Sequence, residues 1–464
     1  MTIGKETPLM NVAYLYPWDV VGDPSAPGRL ADLGVQAVAL AAMYHSTRAA
    51  TPYHPAHRVL DVPYPAFYLP IRPSSWSRLV PATPTWTPAD AYLQARDALK
   101  AVGLQVHAWT VLTHNSHLGS ANPDLVVRNA FGDPYPYALC PAHEDVIEYC
   151  ERLVKEILEV GEPDGLILEA CGPMGFGHQT VHEKTSGADW TPADIDLLSL
   201  CFCTNCAPHY PEPTRAAVRA AIDRSTPSPT TFQPATPTSG TAQPATPTSG
   251  TAQPGTTTST PAQPGTLTSA QSGTPTLSQS GTPTSGTPQS GTTPTQAQAQ
   301  AQAQAPQAQA PITAVDALGP FADEVCALRV AQTTTLRQRL IAVARTIAPN
   351  VPITLHANPD PWATGAFAPL PSGEPAADVL VANCWGDPAT DATRLARLKD
   401  LATPTQRVGA YVLALPPRPA DPEALADQLR TYAKAGASEF HLYHAGLASP
   451  QRLAALAEAL RLHP

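Results

Sequence analysis

Chemistry-bearing residues in this 464-residue chain concentrate between Asp164 and Cys206. A short apolar run, Gly165 to Leu168, delivers Glu169, and the chain breaks at Gly172. A Gly- and His-rich loop follows, carrying His178, His182 and Glu183, and the stretch closes on Cys201-x-Cys203-x-x-Cys206. A carboxylate fixed at the end of a strand suits proton transfer. An isolated one after four apolar residues is costly unless it has a task or a partner. The purely structural alternative is a Glu169 bonded to a neighbour within the fold.

The cysteines point to a metal. Cys201, Cys203 and Cys206 are close enough for three thiolates to converge on one tetrahedral Zn²⁺, each at about 2.3 Å. A fourth ligand must come from elsewhere. Cys140, in Tyr-Ala-Leu-Cys140-Pro141, precedes a helix from a loop and is free to turn toward the cluster; Cys171 competes with it. Cys150 lies in the apolar stripe of a helix, and Cys326 and Cys384 read as packing residues. His178 and His182 are four apart, which would suit a metal on a helix. Gly172, Gly175 and Gly177 argue against a helix there.

These residues need a scaffold, and the periodicity supplies one. Eight apolar runs without clean alternation read as parallel strands covered on both faces. They are Asn11–Trp18, Val35–Tyr44, Leu104–Leu112, Gly165–Glu169, Val351–His356, Asp378–Asn383, Val408–Leu415 and Glu439–Tyr443. Between them lie amphipathic stretches, among them Asp145–Val160, Leu336–Ile347, Thr393–Leu401 and Pro422–Ala435. Thr87-Pro88, Thr191-Pro192, Asp421-Pro422 and Ser449-Pro450 each set a capping side chain before a proline suited to a first helical turn. The alternation predicts an α/β fold, a (β/α)₈ TIM barrel; a doubly wound sheet is the alternative, but no Gly-rich phosphate fingerprint follows the first strand.

Residues 225–311 are almost entirely Pro, Thr, Ser, Gly, Gln and Ala, with a repeated ten-residue unit ending at Gly250 and a strict Gln-Ala alternation from Gln296 to Ala305. Such a segment has nothing to bury against the entropy of ordering, which predicts a long disordered low-complexity insertion. Residues 1–224 are then the first half of the barrel, with four strands and the cysteine cluster, and residues 312–464 the second half.

Barrel function sits at the carboxyl ends of the strands. Those ends offer Asp19, His45, His114, Glu169, His356, Trp385, Asp387 and His444. The loop after the second strand, about Ser46 to Thr85, adds Tyr53, His54, His57, Tyr64, Phe67, Tyr68 and Trp76. Rings with polar tips suit either a sugar or a loop that packs itself onto the barrel. Net charge is −10 with no Lys/Arg stripe, which argues against nucleic acid. No apolar run approaches a membrane span of about 20 residues. Met1 to Met10 lack the basic start and apolar core of a signal peptide, so the expected location is cytoplasmic, with thiols kept reduced.

The Cys-Pro segment before a helix, the glutamate ending the next strand and the Cys-x-Cys-x-x-Cys together resemble the glycoside hydrolase family 42 β-galactosidases and their barrel relatives. The resemblance covers roughly residues 135–206 and the general barrel order. It implies a structural zinc on Cys140, Cys201, Cys203 and Cys206, a catalytic acid/base at Glu169, and a carbohydrate substrate. Three departures stand against it. Leu168 occupies the place of the family's asparagine, and the segment from Glu169 to the cysteines is longer. The seventh strand runs into Pro416 and Pro417, where the family has its glutamate nucleophile.

Glycoside hydrolysis needs two carboxyl groups. Glu183 is the expected second, with Asp387 and Asp19 behind it; an exposed Glu183–Lys184 pair is the structural alternative. His45, His114, His178, His182, Trp385 and Asp387 are the expected substrate-binding residues. Burial among the rings of the second loop is expected to raise the pKa of Glu169, as a general acid requires. The missing seventh-strand glutamate keeps open a noncatalytic carbohydrate-binding barrel. A metal-dependent hydrolase is a further alternative, although Tyr14 and Tyr16 occupy first-strand positions where such enzymes carry paired histidines.

Replacing residues 225–311 by a short Gly/Ser linker should leave the melting temperature nearly unchanged, because loop-closure entropy changes by only about 0.6 kcal/mol per halving of length. Calorimetry of the shortened protein checks this. An insoluble product, or a much lower melting temperature, would mean that the segment packs on the barrel.

Overall fold

A computed structural model describes residues 10–177, 184–188, 190–225, 313–370 and 377–462. Eight parallel strands form its centre: β1 (Met10–Leu15), β2 (Ala37–Tyr44), β3 (Gln105–Val111), β4 (Gly165–Glu169), β5 (Ile353–Asn358), β6 (Val379–Cys384), β7 (Arg407–Leu413) and β8 (Glu439–Tyr443). Each pairs with its sequence neighbours, and β1 pairs with both β2 (Val12↔Ala37) and β8 (Val12↔His441), so the sheet closes. All eight expected strands are present. Their ends move by a few residues, since β1 stops at Leu15 where Pro17–Asp19 turns into a 3-10 helix.

The two halves of the chain make one barrel. β4 pairs with β5 through Leu166↔Ile353, Ile167↔Thr354 and Leu168↔Leu355. The expected disordered segment 225–311 lies between them and, apart from Ser225 at the end of a helix, outside the described residues. It is therefore an insertion between two adjacent strands.

Helices cover the outside: α1 (Ala26–Ala31), α2 (Ala91–Ala101), α3 (Glu144–Gly161), α4 (Ala322–Ile347), α5 (Pro388–Leu401), α6 (Pro422–Lys434) and α7 (Pro450–Leu462). α4 is longer than its apolar periodicity suggests. It packs on α3, and Arg339 bridges Glu144 and Glu151 of that helix at 2.7 Å each. The Asp-Pro and Thr-Pro starts behave as expected at Asp421 and Thr191, whose side chains accept backbone N–H bonds from the first turn. At Thr87-Pro88 the helix begins three residues later, after Asp90.

Packing explains local choices of residue. β4 is buried along its whole length. Gly165 at its start admits the His107 ring, which a Cβ would approach to 2.7 Å. Gly409 in β7 makes comparable room for His441. No helix among the described residues is long and apolar enough to cross a membrane.

Candidate active site and metal centre

Glu169 is the last residue of β4 and is 8% exposed. The Trp109 indole N–H donates to its Oε2 at 2.6 Å, and Nδ1 of His356 stands 3.3 Å from the same oxygen. Trp109 comes from β3 and His356 from β5, the strands on either side of β4. Burial pushes the Glu169 carboxyl up, but His356, the indole N–H and His45 together outweigh it and hold it below the ordinary carboxylate range. The expected upward shift is thus reversed. The leading cause is His356, on the neighbouring strand but on the far side of the insertion in sequence.

The rings around Glu169 are not those of the second loop. They come from the strands: Tyr14 lies 4.9 Å from Trp109, Tyr44 lies 4.6 Å from it, and Tyr411 lies 4.8 Å from Tyr14, all edge to face. In the second loop Phe67, Tyr68 and Trp76 are buried, His54 stacks on His57 at 3.6 Å, and Arg29 covers Tyr53. That loop mainly packs itself down, with a small hairpin, Thr47–Ala50 and Val59–Val62, and a strand Ala66–Phe67 antiparallel to β2. Trp385 is open, 38% exposed and stacked on Tyr411 at 5.3 Å.

Other expected residues fall in different places. His45 and His114 approach to 4.4 Å, ring to ring, with His45 Nδ1 2.8 Å from the Ser46 carbonyl. Asp387 is exposed, and its carboxylate caps α5 by accepting from the Thr390 backbone N–H at 3.0 Å. Its Asp-Pro sequence is the same helix-start signal as Asp421-Pro422. His178, His182 and Glu183 lie outside the described residues.

Asp19 differs from Asp387. Its Oδ2 accepts from the Tyr16 N–H at 2.9 Å, while its buried Oδ1 has no partner among the described residues. Burial raises this carboxyl to about 7. Two strand-end carboxyls thus have opposite environments, the pattern that separates an acid from a base.

Sequence reasoning missed a chain of polar side chains inside the barrel. The Tyr14 hydroxyl lies 3.0 Å from His356 Nε2 and 3.1 Å from His441 Nδ1. His441 Nε2 lies 3.4 Å from Glu439 Oε2, and Glu439 in turn pairs with Arg407. The signal was present in β8, where Glu439 and His441 alternate on one face of a strand whose remaining residues are apolar or aromatic. His444, its ring 4.2 Å from that of Tyr16 and tilted to it, is also buried, and burial pulls its pKa down to about 3, so it is neutral.

The cysteine cluster forms at the periphery. A hairpin, Val126–Arg128 with Pro134–Leu139, leads directly into Cys140, whose N–H donates to Leu125 at 2.8 Å. Phe202 N–H donates to Arg128 at 2.6 Å, which ties the Cys-x-Cys segment to that hairpin. Cys140 Sγ lies 3.7 Å from Cys201, 3.8 Å from Cys203 and 3.6 Å from Cys206. Four sulfurs on a tetrahedral zinc at about 2.3 Å would stand about 3.8 Å apart. All four side chains are buried, and the set has the geometry to hold a metal ion. Cys171 is not in this group; burial pushes its thiol up to about 12. Among the described residues no other group of His, Cys, Asp and Glu is close enough to hold a metal.

By sequence the chain matches no protein-family profile and no characterised protein. Solved structures similar to it include the catalytic domain of β-amylase from Paenibacillus polymyxa, at 12% identity and TM-score 0.49, covering 98% of this chain and 99% of that one. Alpha-L-fucosidase isoenzyme 2 from Paenibacillus thiaminolyticus has 10% identity and TM-score 0.47, and β-galactosidase from the psychrophilic Marinomonas ef1 has 9% and 0.47. Each match covers 98% of this chain, which spans 49% of the fucosidase and 59% of the galactosidase. The chain resembles barrel-type glycoside hydrolases in fold. The narrower likeness to family 42 is not confirmed.

Asp19 generates a pH prediction. Its folded value, about 7, exceeds the unfolded value of 3.8, so the folded form binds the proton more tightly. Its contribution to stability is present at low pH and is lost as pH rises from about 4 to about 7. Denaturant unfolding of wild type and Asp19→Asn across that range should show the variant gaining on the wild type by a few kcal/mol as pH rises. A constant difference would remove Asp19 as the source.

Proposed function

We propose that this chain is a glycoside hydrolase in which Glu169 is the general acid/base, and that Cys140, Cys201, Cys203 and Cys206 hold a structural zinc. The observation that supports the first part most directly is the setting of Glu169. It is a buried carboxylate at the carboxyl end of a barrel strand, oriented by Trp109 and His356 within a ring of aromatic side chains. The exposed Trp385, stacked on Tyr411, is suited to the apolar face of a sugar. His45 and His114 are the further sugar-binding candidates on the described chain.

The reaction requires a second carboxyl group opposite Glu169. Glu183 is assigned this role on the sequence reading, with Asp19 as the alternative on account of its raised pKa. Neither is at the end of β7, which passes through Leu413 into Leu415, Pro416 and Pro417. That gap favours one second reading, a barrel that binds carbohydrate without cleaving it.

Glu169→Gln should leave folding largely intact. It should slow turnover of glycosides with poor leaving groups by about 10²- to 10⁴-fold, the usual worth of general acid catalysis. Activated aryl glycosides, whose leaving groups need little protonation, should suffer less. Equal losses on both substrate types would remove Glu169 as the acid. A wild type that turns over neither, but binds an oligosaccharide the variant no longer holds, would establish the binding barrel.

Bound zinc would supply a cross-link between two loop segments and no step of the reaction. A reducing, cytoplasmic setting would keep the four thiols available to it. Protein purified without chelators should carry about one zinc per chain by elemental analysis. Cys203→Ser should lose the metal and melt lower, because metal binding is coupled to folding, whereas Cys171→Ser should keep it. Absence of stoichiometric metal in the wild type would refute the assignment.

A further inference from the structure

A second cluster of rings lines a cleft outside the barrel core. Its volume is about 530 Å³, inside the roughly 300–1,000 Å³ of small-molecule sites. Its walls come from the hairpin Val126–Arg128 with Pro134–Leu139, from the segment after β4, and from the helices Pro192–Leu198 and Thr214–Ser225. Tyr137 stacks on Tyr135 at 5.9 Å, Phe176 stands 6.1 Å from Tyr135, and Trp190 meets Phe176 edge to face at 4.9 Å. Phe131, 37% exposed at the turn of the hairpin, lines the cleft as well. The Tyr137 and Tyr135 hydroxyls donate to the carbonyls of Gly175 at 2.9 Å and Leu198 at 2.8 Å. Those bonds fix the two rings and leave ring carbon to face a ligand.

The rim is polar and acidic. Asp133 and Asp223 line the cleft and are exposed, and no Lys or Arg is among the described residues that line it. A phosphate or a uronate would meet two carboxylates there and no counter-charge. Aromatic carbon with a hydrogen-bonding rim fits the apolar face and hydroxyl edge of a pyranose. A cationic ligand would meet the same rings, but the position of the cleft favours a sugar chain. Tyr137 lies 6.0 Å from His114, edge to face, and His114 lies 4.4 Å from His45. His45 in turn is near enough to Glu169 to lower its pKa. The rings therefore lead from Glu169 to the cleft.

We infer that this cleft is a second carbohydrate subsite, which takes neutral pyranose units of an oligosaccharide whose other end lies at Glu169. The inference deepens the glycosidase reading and rests on it for the sugar at Glu169. It names the substrate class as a neutral oligosaccharide and excludes an acidic one. Two features hold the subsite in shape. Trp190 directly precedes Thr191, whose hydroxyl accepts from the Asp194 N–H at 3.2 Å and caps the helix Pro192–Leu198. Phe131, Tyr135 and Tyr137 belong to the hairpin that leads into Cys140, so the cysteine cluster anchors one wall of the cleft.

Indole N–H NMR of the full chain tests the inference. Trp109 reports the site at Glu169, to which its N–H donates, and its signal should move in Glu169→Gln. Trp190, whose N–H is buried without a partner among the described residues, reports the cleft, and Trp190→Phe identifies its signal by loss. The probes are cellohexaose, maltohexaose and β-1,4-linked galactohexaose, with glucose, galactose and hexagalacturonate for comparison. Wild type and Glu169→Gln are titrated in parallel, so that cleavage of a probe does not decide the result. A neutral hexasaccharide should shift both signals, the monosaccharides at most that of Trp109, and hexagalacturonate should leave Trp190 unmoved. By calorimetry Trp190→Ala should bind the same hexasaccharide about three- to tenfold more weakly, the usual worth of an aromatic contact. If that variant does not fold, Phe131→Ala, which removes an exposed ring, carries the comparison. Movement of Trp109 without Trp190 for every neutral hexasaccharide would overturn the inference and leave the glycosidase reading in place. Movement of Trp190 without Trp109 would show a sugar site unconnected to Glu169 and overturn the inference as stated. Movement of neither would overturn it outright, and an equal shift with hexagalacturonate would refute the exclusion of acidic sugars.

Discussion

The pairing of β4 with β5 is the contact on which the barrel depends. Three register pairs, Leu166 with Ile353 through Leu168 with Leu355, join the two halves of a chain separated by a long polar insertion. Closing so long a connection has an entropic cost, but one that grows only logarithmically with length. The cost is met by burial along both strands and by α3 packing on α4, where Arg339 bridges two glutamates. Without this pairing the sheet would stay open, with β4 and β5 as its two edges.

Closure also creates an electrostatic problem. A filled barrel interior excludes water, yet this one holds Glu169, His356, Tyr14, His441 and Glu439 in its core. Each ionised group there needs a counter-charge or hydrogen-bond partners. The solution is a continuous chain from the last residue of β4 to the first residue of β8, ending on Arg407 at the opposite rim of the barrel. Glycines adjust the space around it, Gly409 beside His441 and Gly165 beside His107. The same chain holds the carboxylate at the mouth in a defined position and ionisation state, so the requirement for core stability and the preparation of the site are one arrangement.

The cysteine cluster joins the long segments after β3 and β4, which carry a hairpin and short helices of their own and bury residues such as Leu139, Leu197 and Phe202. Four sulfurs within 4.8 Å of one another tie the hairpin that leads into Cys140 to the turn around Cys203. These loops border the mouth of the barrel near β4. Their cross-linking would restrain the wall of the site without any ligand taking part in its chemistry.

Local order in the sequence determined a good deal. Eight apolar runs, the proline-marked helix starts, the Cys-x-Cys-x-x-Cys spacing and Glu169 at a strand end each depend on residues within about ten positions of one another, and all were legible. The identity of Cys140 as the fourth sulfur followed from resemblance and not from spacing. The sign of the Glu169 pKa shift was not legible. Nor was the packing of the second loop's aromatics into the body of the protein. The first depends on His356, and the polar chain depends on Tyr14, His441 and Glu439, which lie on strands from both ends of the chain. Composition and periodicity specify which residues lie inside a barrel; only closure decides which of them meet, and in a water-free interior the neighbour sets the charge.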